Sequence, residues 1–64
     1  MAEAWSDLPI GAPARRALVG AGLARLEDLA GVSRAQVAAL HGMGPKALGI
    51  LESALAAAGL SFTA

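Results

Sequence analysis

The chain is expected to be all-α, and three observations predict that class. Its 64 residues are rich in Ala and Leu, both strong helix formers. Apolar residues recur at helical spacing, and no window alternates with the period of two that a strand requires. Segments open on proline or a capping serine and close on glycine, the punctuation of short helices. The length admits one domain, near the lower size at which a chain folds alone. A single domain over residues 1–64 is therefore expected, with an ordered core of about 6–62. There is no cysteine, so neither a disulfide framework nor a thiolate metal site adds to packed aliphatic side chains.

Residues 1–7 read as a loose lead-in. Trp5 has two readings, a lid on one end of the core or an exposed anchor for a partner, and the first is preferred. Leu8-Pro9-Ile10-Gly11 is a turn, and Gly11-Ala12-Pro13 introduces a first helix over about 13–20. Ala17, Leu18 and Ala21 supply its buried side. Gly22 ends it as a left-handed cap, with Leu23 as the accompanying apolar contact.

A short second helix, about 26–30, carries Glu27 and Asp28 in its first turn, as the helix dipole prefers. Arg25 is a poor N-cap, so a frayed or 3₁₀-like turn is expected, ending at Gly31. Ser33 opens the third helix, and Gln36 three residues on completes a capping box. Val37 and Leu40 form its core stripe. The fourth helix, about 45–58, buries Leu48, Leu51, Leu55 and Ala58 at i, i+3, i+7 and i+10. Gly59 closes it, Leu60 and Phe62 fold back onto the core, and Thr63 and Ala64 are expected to fray.

A weak repeat accompanies these elements. Gly11-Ala12-Pro13 and Gly44-Pro45 each open a helix, and those helices close on Ala21-Gly22-Leu23 and Ala58-Gly59-Leu60. Two similar halves related by approximate symmetry account for this, as does convergent use of ordinary caps.

Net charge is zero, unlike the basic excess usual in nucleic-acid-binding domains, so the positions of the five basic residues matter. Cations are favoured in last turns and disfavoured in first turns. Here Arg15 and Arg16 fall in the first turn of the first helix, Arg34 in that of the third and Lys46 in that of the fourth. Local rules that fail together point to a functional face. Bland alternatives are solvated arginines paired with Asp7 or Glu52. His41 is the only histidine and supplies neither a metal site nor a catalytic dyad. No nucleophile has a base nearby, and Gly42-Met43-Gly44 is neither a Walker loop nor a Rossmann turn. No enzyme, cofactor or metal is expected. Charges interrupt every apolar run before the ~18 residues of a membrane span. Glu3 and Asp7, without a basic region before an apolar block, argue against a signal peptide, so a bacterial-style cytoplasm is the expected location.

The stretch Leu40-His41-Gly42-Met43-Gly44-Pro45-Lys46-Ala47 reads as a tight hairpin between the third and fourth helices. Its glycines permit positive φ and close approach to the main chain, and Gly44 in particular is expected to need both. A helix N-terminus behind such a turn presents free N–H groups and suits an anion. The stretch resembles the helix-hairpin-helix motif: Leu40, Gly42, Met43, Gly44, Lys46 and Ala47 match its pattern, and Ile50 its later apolar position. That resemblance implies binding to DNA backbone phosphates without base reading.

Over residues 8–62 the chain resembles the C-terminal domain of the bacterial RNA polymerase alpha subunit and its stand-alone relatives. The likeness rests on Ala21-Gly22-Leu23, Leu26-Glu27-Asp28-Leu29, Gly44 with Lys46 and Leu48, and Ala58-Gly59-Leu60-Ser61-Phe62. It implies a compact four- to five-helix, SAM-like fold that meets DNA across the minor groove. No polymerase assembly domain precedes the module in this sequence, so a stand-alone relative is expected. Gly44 and Lys46 match the family's DNA-facing surface. The family's early arginine falls at Pro13, its neighbouring asparagine at Arg16, the serine after the hairpin lysine at Ala47 and the following glutamate at Ile50. The family's site is thus half kept, with backbone contact expected from Arg15, Arg16 and Lys46.

The expected function is a small DNA-binding module, non-specific or weakly shape-selective, using Arg15, Arg16, Arg34, His41, Gly42, Met43, Gly44 and Lys46. Useful affinity then calls for self-association or a second DNA-bound protein. The alternative is a protein-interaction module on the same scaffold, favoured by the neutral charge, the alanine-rich fourth helix and Ile50 at a position expected to be surface.

Overall fold

The computed structural model describes Trp5 and residues 8–63. Among these residues there are four α-helices: α1 (Ala12–Gly20), α2 (Leu26–Leu29), α3 (Arg34–Ala38) and α4 (Pro45–Ala57). Among the described residues the extended pairing is one isolated parallel bridge, Ser33 with Thr63, so the class is all-α. The expectations for residues 1–4, 6 and 7 and for Ala64 fall outside the described residues.

The two longer helices begin and end alike. Each has a glycine N-cap, Gly11 or Gly44, and a proline within its first two positions. Proline is tolerated there because the first N–H groups of a helix have no partner inside it. At the other end, Leu23 N–H donates to Leu18 O at 2.9 Å and Gly22 N–H to Val19 O at 3.0 Å. In α4, Leu60 N–H donates to Leu55 O at 2.7 Å and Gly59 N–H to Ala56 O at 3.0 Å. These are paired Schellman closures, with Gly22 at φ 80° and Gly59 at φ 75°. The weak repeat in the sequence therefore has a counterpart in three dimensions: the same start and stop, with 9 residues between in α1 and 13 in α4.

The short helices are closed by side chains. Ser33 Oγ accepts from Gln36 N–H at 3.1 Å, and Gln36 Oε1 accepts from Ser33 N–H at 2.8 Å, the capping box expected for α3. In α2 the cap comes from inside: Asp28 Oδ2 accepts from Ala24 N–H at 2.9 Å and Arg25 N–H at 3.1 Å. Asp28 thus does the work for which the Arg25 side chain is unsuited. Asp28 N–H donates back to Arg25 O at 3.0 Å, but Leu26–Leu29 are α-helical rather than the frayed or 3₁₀-like turn expected.

The core is Trp5, Ile10, Ala14, Leu18, Leu29, Val37, Ala47, Leu48, Leu51 and Leu55. Trp5 is fully enclosed, and its Nε1–H donates to Leu23 O at 2.7 Å, so the buried reading of this residue holds. Leu60 and Phe62 pack against the core as expected.

Four expectations are corrected. Ala21 and Ala58 are exposed, because each is the C-cap residue, past the last helical turn. Ala14 and Ala47 are buried instead, four residues before Leu18 and Leu51, where helix geometry stacks side chains on one face. Thr63 does not fray: its N–H donates to Val32 O at 2.9 Å, tying the tail beside the turn before α3. Ile50 is half-buried against the core rather than a surface residue.

Candidate nucleic-acid interface

The hairpin between α3 and α4 begins with Leu40, whose carbonyl accepts Met43 N–H at 3.1 Å. Within it Gly42 stands at φ 93°, a conformation that side chains disfavour. An ideal Cβ at Gly42 would come within 2.9 Å of Pro13 O and 3.3 Å of Pro13 C. The hairpin therefore lies directly on the start of α1, and the two glycine-led turns are neighbours. His41 and Gly42 line one depression of about 420 Å³ with Pro13, Arg16 and Ala17.

Gly44 behaves differently from expectation. It is at φ −106° and ψ 169°, ordinary extended backbone, and a Cβ there would meet nothing within 4 Å. Positive φ and close approach both belong to Gly42. Gly44 instead serves as the N-cap of α4, with its carbonyl accepting Leu48 N–H at 3.0 Å. Having no side chain, it leaves the first-turn N–H groups of α4 without a capping oxygen, and no acid stands in that turn. The same holds for α1 behind Gly11.

The basic residues fall into two groups. Arg25 Nε lies 3.8 Å from Glu27 Oε2, and Arg34 Nε is bonded to Glu52 Oε1. With Asp28 capping α2, each acid among the described residues is engaged. Arg15, Arg16 and Lys46 are all exposed, and among the described residues none has a carboxylate partner. Asp7, the other partner considered for the arginines, lies outside the described residues.

Because α1 starts at Ala12, one residue earlier than expected, Arg15 and Arg16 stand at its fourth and fifth positions. Arg16 is therefore in the second turn. Arg15 and Arg16 line a surface depression with Val19 and Gly20, while Arg16 alone also reaches the His41–Gly42 side. Lys46, at the second position of α4, is four residues from Gly42, so their Cα atoms are at most about 14 Å apart. Arg34 lines a separate depression, with Ala38, Met43, Gly44, Pro45 and Leu48, next to the N-cap of α4. The residues named from sequence thus divide into His41, Gly42 and Arg16 together, Met43, Gly44 and Arg34 together, and Arg15 and Lys46 exposed beside them.

Sequence reading missed Pro13 as the surface on which the hairpin rests, and it offered Glu52 as an arginine partner without saying that the arginine is Arg34. Both contacts are long-range, and no local pattern announces them. No protein family, curated protein or solved structure matches this chain. No helix of the described residues is long and apolar enough to cross a membrane.

Proposed function

We propose that this chain is a small DNA-binding module of the helix-hairpin-helix, SAM-like kind, holding backbone phosphates without reading bases and catalysing no reaction. One observation carries the reading. Every carboxylate among the described residues is engaged elsewhere, while Arg16 beside the seam where Gly42 meets Pro13, Arg15 next to it in α1 and Lys46 in the first turn of α4 have no carboxylate partner among those residues. Cations near helix N-termini oppose the dipole unless an anion joins them, and both longer helices present uncapped N–H groups beside those cations. His41 and Met43 would fill the space between contacts, with Gly44, open at its Cβ position, allowing a phosphate close to the main chain and Gly42 seating the hairpin on α1. Trp5 and Ile50, the two apolar anchors that a protein partner would have used, are buried and half-buried.

Neutralising roughly three phosphates gives a log K against log salt slope near −3, with affinity on the order of 10⁻⁴ to 10⁻⁵ M for one domain. Binding that weak needs self-association or a second DNA-bound protein to supply the rest. The test is an NMR titration with a short duplex at low and moderate salt. Amide shifts should centre on Gly42, Gly44 and Lys46, with a second cluster at residues 14–16, and vanish as salt rises. A titration at low salt that moves none of these amides removes the DNA reading.

One observation favours the protein-interaction alternative. An apolar groove of about 420 Å³ lies between the end of α1 and α3, lined by Ala21, Leu23, Val32, Val37 and Leu40 among others. Concentration-dependent shifts confined to that groove, with no response to DNA, would select this second reading.

A further inference from the structure

We propose that Glu52 withholds Arg34 from the phosphate-binding face, so that the module keeps one basic contact out of use and binds duplex DNA more weakly than its side chains allow. This rests on the DNA-binding reading above. Arg34 opens α3, Glu52 lies in the second half of α4, and Arg34 Nε donates to Glu52 Oε1 between the two helices. Arg34 also lines a depression of about 280 Å³ with Met43, Gly44 and Pro45. It therefore stands at the edge of the proposed interface with its charge cancelled by Glu52.

The exposure of the pair matters. The side chains of Arg34 and Glu52 are 60% and 43% exposed, a setting in which an ion pair adds little to stability. Glu52 is thus not needed to neutralise a buried charge. Moving to a phosphate would cost Arg34 its partner and leave the Glu52 carboxylate unpaired beside the DNA backbone, so Arg34 remains with Glu52 in the wild type. Arg25 with Glu27 gives an internal comparison: an exposed pair of the same chemistry that shares no depression with the hairpin.

The test is Glu52→Gln, which retains length and an acceptor for Arg34 while removing the charge. The Kd for a short duplex at low salt should fall roughly two- to five-fold. The salt slope should steepen by about 0.9, the signature of one more phosphate contact. Arg34→Gln should leave wild-type binding unchanged and erase the gain in the Glu52→Gln background. Glu27→Gln changes net charge equally and should leave the slope as it was. Circular dichroism melts establish that each variant is folded. If Glu52→Gln binds like wild type, if Glu27→Gln gives the same gain, or if Arg34→Gln alone weakens binding, the inference is overturned while DNA binding stands. If neither wild type nor Glu52→Gln binds a duplex, both readings fall together.

Discussion

Gly42 and Pro13 meet so closely that a methyl group on residue 42 would lie 2.9 Å from the Pro13 carbonyl oxygen. This contact sets the hairpin on the start of α1 and brings His41 beside Arg16. It also separates the roles of the two hairpin glycines, giving Gly42 the positive φ and close approach expected of Gly44.

The two glycines should respond to substitution with opposite signs. Gly42→Ala combines φ 93° with a clash against backbone that cannot swing away, and should cost about 1–3 kcal/mol. Gly44→Ser places a capping oxygen on an extended N-cap with open space around it, and should stabilise by a few tenths of a kcal/mol. Thermal melts resolve this, since 1 kcal/mol moves the Tm of so small a domain by about 4–8 °C. A Gly44→Ser variant that melts lower than Gly42→Ala would place the strain at the wrong glycine.

Matched closures of α1 and α4 make Gly22 and Gly59 a quantitative pair. Their φ values are 80° and 75°, and a Cβ would meet nothing within 4 Å at either. With sterics absent, alanine at each site loses only the left-handed backbone preference, about 1–2 kcal/mol. Urea titrations should therefore give equal losses for Gly22→Ala and Gly59→Ala, within about 0.5 kcal/mol. A clear inequality would mean that the two ends are closed by different forces despite their shared hydrogen bonds.

Much of the fold is legible in local chemistry. The capping box of Ser33 and Gln36, the glycine closures and the proline starts locate the helices because each satisfies orphan backbone groups within a few residues. What local chemistry leaves open is decided by contacts distant in sequence. Gly42-Met43-Gly44 does not say which glycine is strained until Pro13 is seen against it. Thr63 looks like a free tail until Val32 accepts its N–H. Arg34 reads like the other misplaced cations, and only the packing of α3 near α4 joins it to Glu52.

Trp5 should be the costliest single residue to lose. Its ring is fully enclosed, and its Nε1–H holds Leu23 O at the cap of α1. Trp5→Phe keeps most of the apolar burial but leaves that carbonyl without its partner, a loss of about 1–3 kcal/mol. Trp5→Ala adds a cavity, about 3–5 kcal/mol, which rivals the ~3–5 kcal/mol a core of this size supplies. Far-UV circular dichroism and proton NMR dispersion should show Trp5→Phe folded but weakened, and Trp5→Ala largely unfolded. A Trp5→Ala variant melting like wild type would show that the tryptophan is a bystander.

Charge reversal at the proposed interface separates function from stability. Lys46 is at the second position of α4, where the dipole is felt most, so Lys46→Glu should stabilise by about 0.3–1 kcal/mol. Arg16 is at the fifth position of α1, past the first turn, so Arg16→Glu should leave stability near wild type. Both should abolish weak duplex binding, because each removes a cation and places an anion among the phosphates. Lys46→Gln provides the graded case, with binding reduced and the salt slope shallower by about 0.9. Cations serving only as solvated surface would give another pattern, with no duplex binding to lose. The combination of a higher melting temperature and lost binding in Lys46→Glu is therefore the decisive outcome. It means that lysine stands where it weakens the helix because an anion is meant to meet it there.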